Sequence, residues 1–174
     1  MSRAARLDLR SFQRELASRL ASKTAAQVES SRLGVASANG MWLIRLPDAS
    51  EVIAVPPIVP VPLTKSWFLG LANIRGNLHG VVDFPAFLGA APVATGSAAR
   101  LVLLARGTDG GDSAGIVVER VLGLRNLAQF GPLPQDTAVP AWHVARWQDA
   151  EGRAWQEIDL ALLARDPAFL QVGA

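Results

Sequence analysis

The chain has 174 residues, half of them hydrophobic and 18% charged, enough for one domain with a real core or two small lobes packed together. It has no cysteine and only two histidines, His79 and His143, which argues against a disulfide framework and against thiolate or imidazole-rich metal sites. The net charge is +2, but residues 1–24 alone carry +4, so the other 150 residues are net negative and offer no basic stripe for nucleic acid.

The leader carries Leu9, Phe12, Leu16 and Leu20 at spacings of three and four, which predicts an amphipathic helix with Asp8 as its N-cap. The pattern fades through Lys23–Ser31, so residues 1–31 are assigned to a helix and linker and residues 32–174 to the folded body. No run reaches the roughly 18 apolar residues of a membrane span, and the leader has no apolar core before a cleavage site. A cytoplasmic protein with no inserted segment is expected.

From residue 32 the texture changes to short apolar runs. RLGVASANGMWLIRL predicts two strands around Asn39-Gly40, and SEVIAV a third. PPIVPVP, with four prolines in seven residues, is an extended connector. FLGLANIR and NLHGVVDF form a hairpin whose glycines suit bulges or bends, and PAFLGAAPVATGSAA a short helical turn and loop. ARLVLLA and SAGIVVERVLGLRNL form a second hairpin with the tip GTDGGD, followed by the proline-broken connector FGPLPQDTAVP. AWHVARWQDAEGRAWQEI turns at Ala150–Gly152, and DLALLARDPAFL closes the chain as a short helix. Two groups of short strands joined by Pro/Gly segments suggest small closed barrels.

Catalytic signatures are thin. There is no GxxxxGK[ST] loop, Lys65 following Pro62-Leu63-Thr64, and no GxSxG elbow. His79 with Asp83 or Ser66 does not make a triad by spacing, and His143 sits between two tryptophans; both read as structural. The carboxylate pairs Asp109/Asp112 and Asp149/Glu151 fall in turn tips, where acidic residues are expected. The sequence is read as non-enzymatic and without a cofactor.

The order Gly70, Asn73, Ile74, Arg75, Gly76, Val81, Asp83, Phe84 resembles the central motif of the CheW-like family, the chemotaxis coupling proteins. Glu51 in SEVIAVPPIVPVP is similar to the acidic position before that family's proline-marked linker, and GIVVERVLGL to a strand of its second lobe. The long leader and the WFLGLANIRG wording resemble the PilI-type, twitching-motility branch. His79 and Gly80 depart from the pattern, which usually has a large aliphatic residue and a proline there.

The resemblance implies a mainly β fold, two SH3-like five-stranded β-barrels packed on a shared core. It also implies an adaptor that binds the regulatory domain of a CheA-type histidine kinase and the helical tip of a methyl-accepting chemoreceptor, recruited to membrane receptor arrays and able to extend into rings or arrays. Glu51, Ile53, Val55 and Arg75 are the candidates for a groove accepting a receptor helix. Arg75 either serves that groove or ties a strand end to a backbone carbonyl or to Asp83. Gly70 and Gly76 set backbone geometry, Asn73 satisfies a bend, and Asp83 caps the turn at Pro85. Leu122, Leu124 and Leu127 read as core or as part of the kinase-facing interface, with core preferred. A basic β-barrel nucleic-acid module, supported by the tryptophans and the arginine of AWHVARW, is the alternative.

Overall fold

The computed structural model describes residues 30–94, 96, 98–105, 113–135 and 138–174. The leader helix and the GTDGGD tip with Asp109 and Asp112 lie outside them. The described chain is mainly β. Strands β1 (Ser31–Ser37), β2 (Gly40–Arg45), β3 (Ala49–Ala54), β4 (Phe68–Ile74), β5 (Asn77–Asp83) and β6 (Arg100–Leu104) come first. They are followed by β7 (Ala114–Val118), β8 (Arg120–Asn126), β9 (Gly131–Leu133), β10 (His143–Gln148) and β11 (Ala154–Ile158). Single helical turns α1 (Phe84–Phe87), α2 (Leu160–Leu163) and α3 (Pro167–Leu170) cover the ends. No helix among the described residues is long and apolar enough to cross a membrane.

A six-stranded sheet runs β8-β1-β2-β11-β10-β9 and a five-stranded sheet β3-β6-β7-β5-β4. The two groups of strands expected from chain order therefore interleave: the first hairpin belongs with the last strands. Two parallel pairings, β2 with β11 and β5 with β7, make these long-range closures. The expected count of five per lobe is exceeded because Gly131–Leu133, inside the proline-broken connector, pairs with β10 as an outer edge strand. Pro132 is tolerated there because an edge strand has one row of N–H groups unused.

The sheets pack through a common core. Leu33, Val35, Trp42, Ile44 and Ile158 from one meet Val82, Val102, Leu104, Ile116 and Val118 from the other. On the opposite face of the five-stranded sheet, Ala72, Ile74, Val81, Leu101, Leu103 and Val117 form a second cluster. Residues 81/82, 101/102, 103/104 and 117/118 thus serve the two cores alternately. That explains why β6 and β7 are almost uninterrupted in apolar residues, since side chains of a strand alternate between faces and here both are buried. Asp159, hydrogen bonded to the N–H of Leu162 at 2.9 Å, caps α2.

Three local expectations are corrected. The first hairpin turns at Ala38-Asn39 rather than Asn39-Gly40: both have positive φ, 53° and 60°, and Ser37 pairs with Gly40. Register decides this, because a one-residue slip would turn Val35, Trp42 and Ile44 out of the core. The run SAGIVVERVLGLRNL is two strands, β7 in one sheet and β8 in the other, broken at Glu119. The closing helix is two separate turns, because Asp166 caps a new start at Pro167.

Candidate functional site

A hairpin of largely buried strands has to place its one arginine, Arg75, clear of the core. β4 and β5 meet in a two-residue turn, Ile74 pairing with Asn77 around Arg75-Gly76. Arg75 has φ 51° and Gly76 φ 85°, and positive φ at both central positions marks a type I′ turn. The Asn73 carboxamide oxygen accepts the Gly76 N–H at 2.9 Å, closing the turn from the side chain. The arginine is thereby lifted clear of both cores, and its side chain is 77% exposed.

Its guanidinium meets the Glu51 carboxylate at 2.6 Å. Glu51 lies on β3 and Arg75 follows β4, the two opposite edges of the five-stranded sheet. For these edges to come within ion-pair distance the sheet must curl almost onto itself, and the pair clasps the opening. Asp83 is not Arg75's partner: it is buried and fully engaged, one oxygen taking the Ala86 N–H and the other the Val93 N–H, each at 2.9 Å. It caps α1 and at the same time fastens the loop that follows.

Gly70 has φ 129°, and the connector Pro56–Pro62 lies directly on it. A Cβ there would be 2.1 Å from the Val59 carbonyl oxygen. This absence of a side chain permits the bridge between Val59 and Leu71, two backbone hydrogen bonds of 2.8 and 2.9 Å that lash the connector to β4. Ile53 packs in part against the inner cluster of this sheet. Val55 lies beyond the end of β3 and lines a separate depression of about 510 Å³ with Ile58, Leu69, Val93 and Val117. Of the four groove candidates, Glu51 and Arg75 are brought into contact; Ile53 turns partly inward, and Val55 belongs to the neighbouring hollow.

The six-stranded lobe holds charges that the sequence reading passed over. Arg32 donates to Glu157 at 2.6 Å across β2, and the Trp147 indole donates to the other Glu157 oxygen at 2.7 Å. Both charged side chains are nearly dry, with 11% and 5% of their surfaces exposed. Arg45 bonds Asp48 at 2.8 Å and also reaches Asp159; the Asp48 hydrogen bond is the largest influence and raises its pKa. The signal was faint: in AWQEI Glu157 shares its strand face with the buried Trp155, two residues before it.

The aromatics that prompted the nucleic-acid alternative are committed inward. Trp142 is buried in the common core, and Trp147 is held by Glu157. His143 lies edge-on to Trp42 and Trp142, and burial lowers its pKa. His79 is buried on β5. Leu124, read as core, is instead 65% exposed on β8, because that strand has a neighbour only on one side; Leu122 and Leu127 are half-buried.

Two sheets sharing a core, with a primed turn carrying Asn-Ile-Arg-Gly at the mouth of one of them, define a module organised around a surface motif. The CheW-like domain family model matches residues 33–168, and the chain belongs to that family. It is 32% identical to protein FrzA of Myxococcus xanthus over 123 residues, 70% of this chain and 69% of FrzA. It is 28% identical to protein PilI of Pseudomonas aeruginosa over 113 residues, 65% of this chain and 62% of PilI's length. The fold matches the crystal structure of the scaffolding protein TtCheW from Thermoanaerobacter tengcongensis with a TM-score of 0.63, at 19% identity, covering 76% of this chain and 90% of that one.

Proposed function

We propose that this protein is a non-enzymatic signalling adaptor of the chemotaxis type, coupling a chemoreceptor to a CheA-type histidine kinase. The reading rests on family membership across residues 33–168, and its similarity to PilI favours a pilus-driven, twitching-motility pathway. The adaptor works from the cytoplasmic side of a receptor array and changes no bond. The observation that carries its receptor-facing half is the Arg75–Glu51 clasp at an exposed turn. An exposed ion pair of this kind contributes only about 0–1 kcal/mol to folding. Its forked donors at an exposed turn suit the charged contacts that set the register of a bound helix. Coupling then follows from different contacts made with two states of receptor and kinase.

The test is reconstitution with a CheA-type kinase and a receptor tip fragment from the same pathway. Wild type is expected to bridge the two in one complex. Arg75→Ala is expected to weaken receptor binding by ~1–3 kcal/mol while kinase binding and the fold persist. Undiminished receptor affinity in that variant refutes the receptor-facing role of Arg75. Failure of the wild-type ternary complex refutes the adaptor reading.

A further inference from the structure

At one end of the fold the outer surface of the β4–β5 hairpin meets the C-terminal turns in an apolar groove of about 320 Å³. Phe68, Leu71 and Leu78 line one side and Phe169, Leu170 and Val172 the other, and among the described residues no charged one lines it. Leu78 is 63% exposed, Leu170 53% and Leu71 36%. Leucines scattered singly over a surface need no explanation, but leucines converging on one uncharged groove mark a contact surface. None of the family-motif positions Glu51, Asn73, Arg75 or Asp83 belongs to it.

The chain enters the fold at the same end. Arg32, the second residue of β1, pairs with Arg45, whose guanidinium bonds Asp159. Asp159 caps the turn that leads, through α2, to Phe169 and Leu170 on the groove. The carbonyl of Asp48, three residues beyond Arg45, takes the N–H of Ala105 at 2.8 Å, and the strand that follows re-enters at the groove residues Ser113 and Ala114. Twenty-nine residues precede Ser30, the first described residue, and within them Leu9, Phe12, Leu16 and Leu20 recur at the three- and four-residue spacing of one helix face. As a helix that stripe would be about 17 Å long, and the nine residues 21–29 reach at most on the order of 30 Å to Ser30, which is helical. Arg10, Arg14 and Arg19 fall largely off the stripe, so they need no acidic counterpart in an uncharged groove.

We propose that the groove between the β4–β5 hairpin and the C-terminal turns is a docking site for the leader of the same chain, residues 9–20. The leader then shields Leu71, Leu78 and Leu170, and any partner that captures the stripe uncovers them. This surface is independent of the Arg75–Glu51 clasp and stands whether or not the adaptor reading does.

The absence of cysteine makes the test direct in the full-length protein. Leu16→Cys with Leu78→Cys is expected to form an intramolecular disulfide under mild oxidation, seen as a monomer of altered mobility on non-reducing gels. Arg14→Cys with Leu78→Cys places the first thiol on the other side of the helix and is expected not to. Three results overturn the proposal: no cross-link in either pair, equal cross-linking in both, or disulfides only between chains, which would assign the groove to a second copy. Because Leu78 is exposed, these substitutions leave the fold intact, which circular dichroism checks. As a second readout, maleimide labelling of Leu78→Cys is expected to accelerate about tenfold when Phe12 and Leu16 are both replaced by Asp. An unchanged rate also overturns the proposal.

Discussion

Replacing Gly70 with alanine tests the account of the motif most severely. At φ 129° an L-residue sits outside its allowed regions, which costs about 1–3 kcal/mol before any contact is considered. The new Cβ would stand 2.1 Å from the Val59 oxygen, 2.8 Å from the Val59 carbonyl carbon and 2.9 Å from the Pro60 Cα. All three are backbone atoms, so no side chain can swing away; the connector must lift. Lifting it breaks the two hydrogen bonds between Val59 and Leu71, each contributing about 0.5–1.5 kcal/mol. The expected loss is about 3–5 kcal/mol, a large part of a small domain's stability. Gly76→Ala is the matched control: φ is also positive, 85°, but nothing lies within 4 Å of the added methyl, so only about 1–2 kcal/mol is expected. Urea unfolding of the two variants at unchanged m-value measures both. Equal losses, or less than about 1 kcal/mol for Gly70→Ala, would show that steric contact with the connector is not what position 70 avoids.

Glu157→Leu should cost about 3–5 kcal/mol in the same assay, because it strands Arg32 inside the lobe, and Arg32→Met added to it should restore part of that loss. Burial pushes the Asp149 carboxyl up, but the Trp155 indole and the backbone and side-chain N–H groups of Arg153 outweigh it and hold the pKa at about 2, below the usual 3.8. That contribution is complete above pH 3.8 and is lost as the pH falls through about 2. Wild type should therefore exceed Asp149→Asn in stability by a margin that is flat at neutral pH and shrinks only in strong acid; acid titrations of both, followed by tryptophan fluorescence, check it.

Local chemistry was legible where one residue type had one use. The Asn-Ile-Arg-Gly turn, the cap at Asp83 and the proline connector could be read because turns and caps depend on a few neighbouring residues. Pairing across the chain could not. Nothing in RLGVASANGMWLIRL states that its second strand will lie parallel to Gln156–Ile158, more than a hundred residues later, since periodicity specifies a face and not a neighbour. The same limit made β7 and β8 look like one strand: Glu119-Arg120 is a two-residue charged break, and only the competition of two sheets for the apolar runs on either side makes it a crossing point. Leu124 was misjudged because a leucine in a strand was given a core, whereas β8 is an edge. Only the resemblance places Glu51 and Arg75 in one groove; the residues themselves leave Arg75 a choice of partners.

Arg75 is an uneconomical residue for the place it occupies. Position 75 is the first of two left-handed residues in a type I′ turn, where asparagine before glycine is the preferred pair and a long side chain is disfavoured. The ion pair it gains is 77% exposed on the arginine side and so worth at most about 1 kcal/mol. Folding alone therefore gives little reason for arginine, and strain kept at a surface position points to use by a partner. The sharpest form of this argument is Arg75→Asn. The substitution supplies the favoured turn pair and removes only the exposed clasp, so the protein should unfold at equal or higher urea concentration, gaining about 0–1 kcal/mol. In the reconstituted complex the same variant should bind the receptor fragment more weakly. A variant destabilised by more than about 1 kcal/mol would show the clasp to be a structural strut of the curled sheet, and the case for a receptor contact at Arg75 would lose its physical basis.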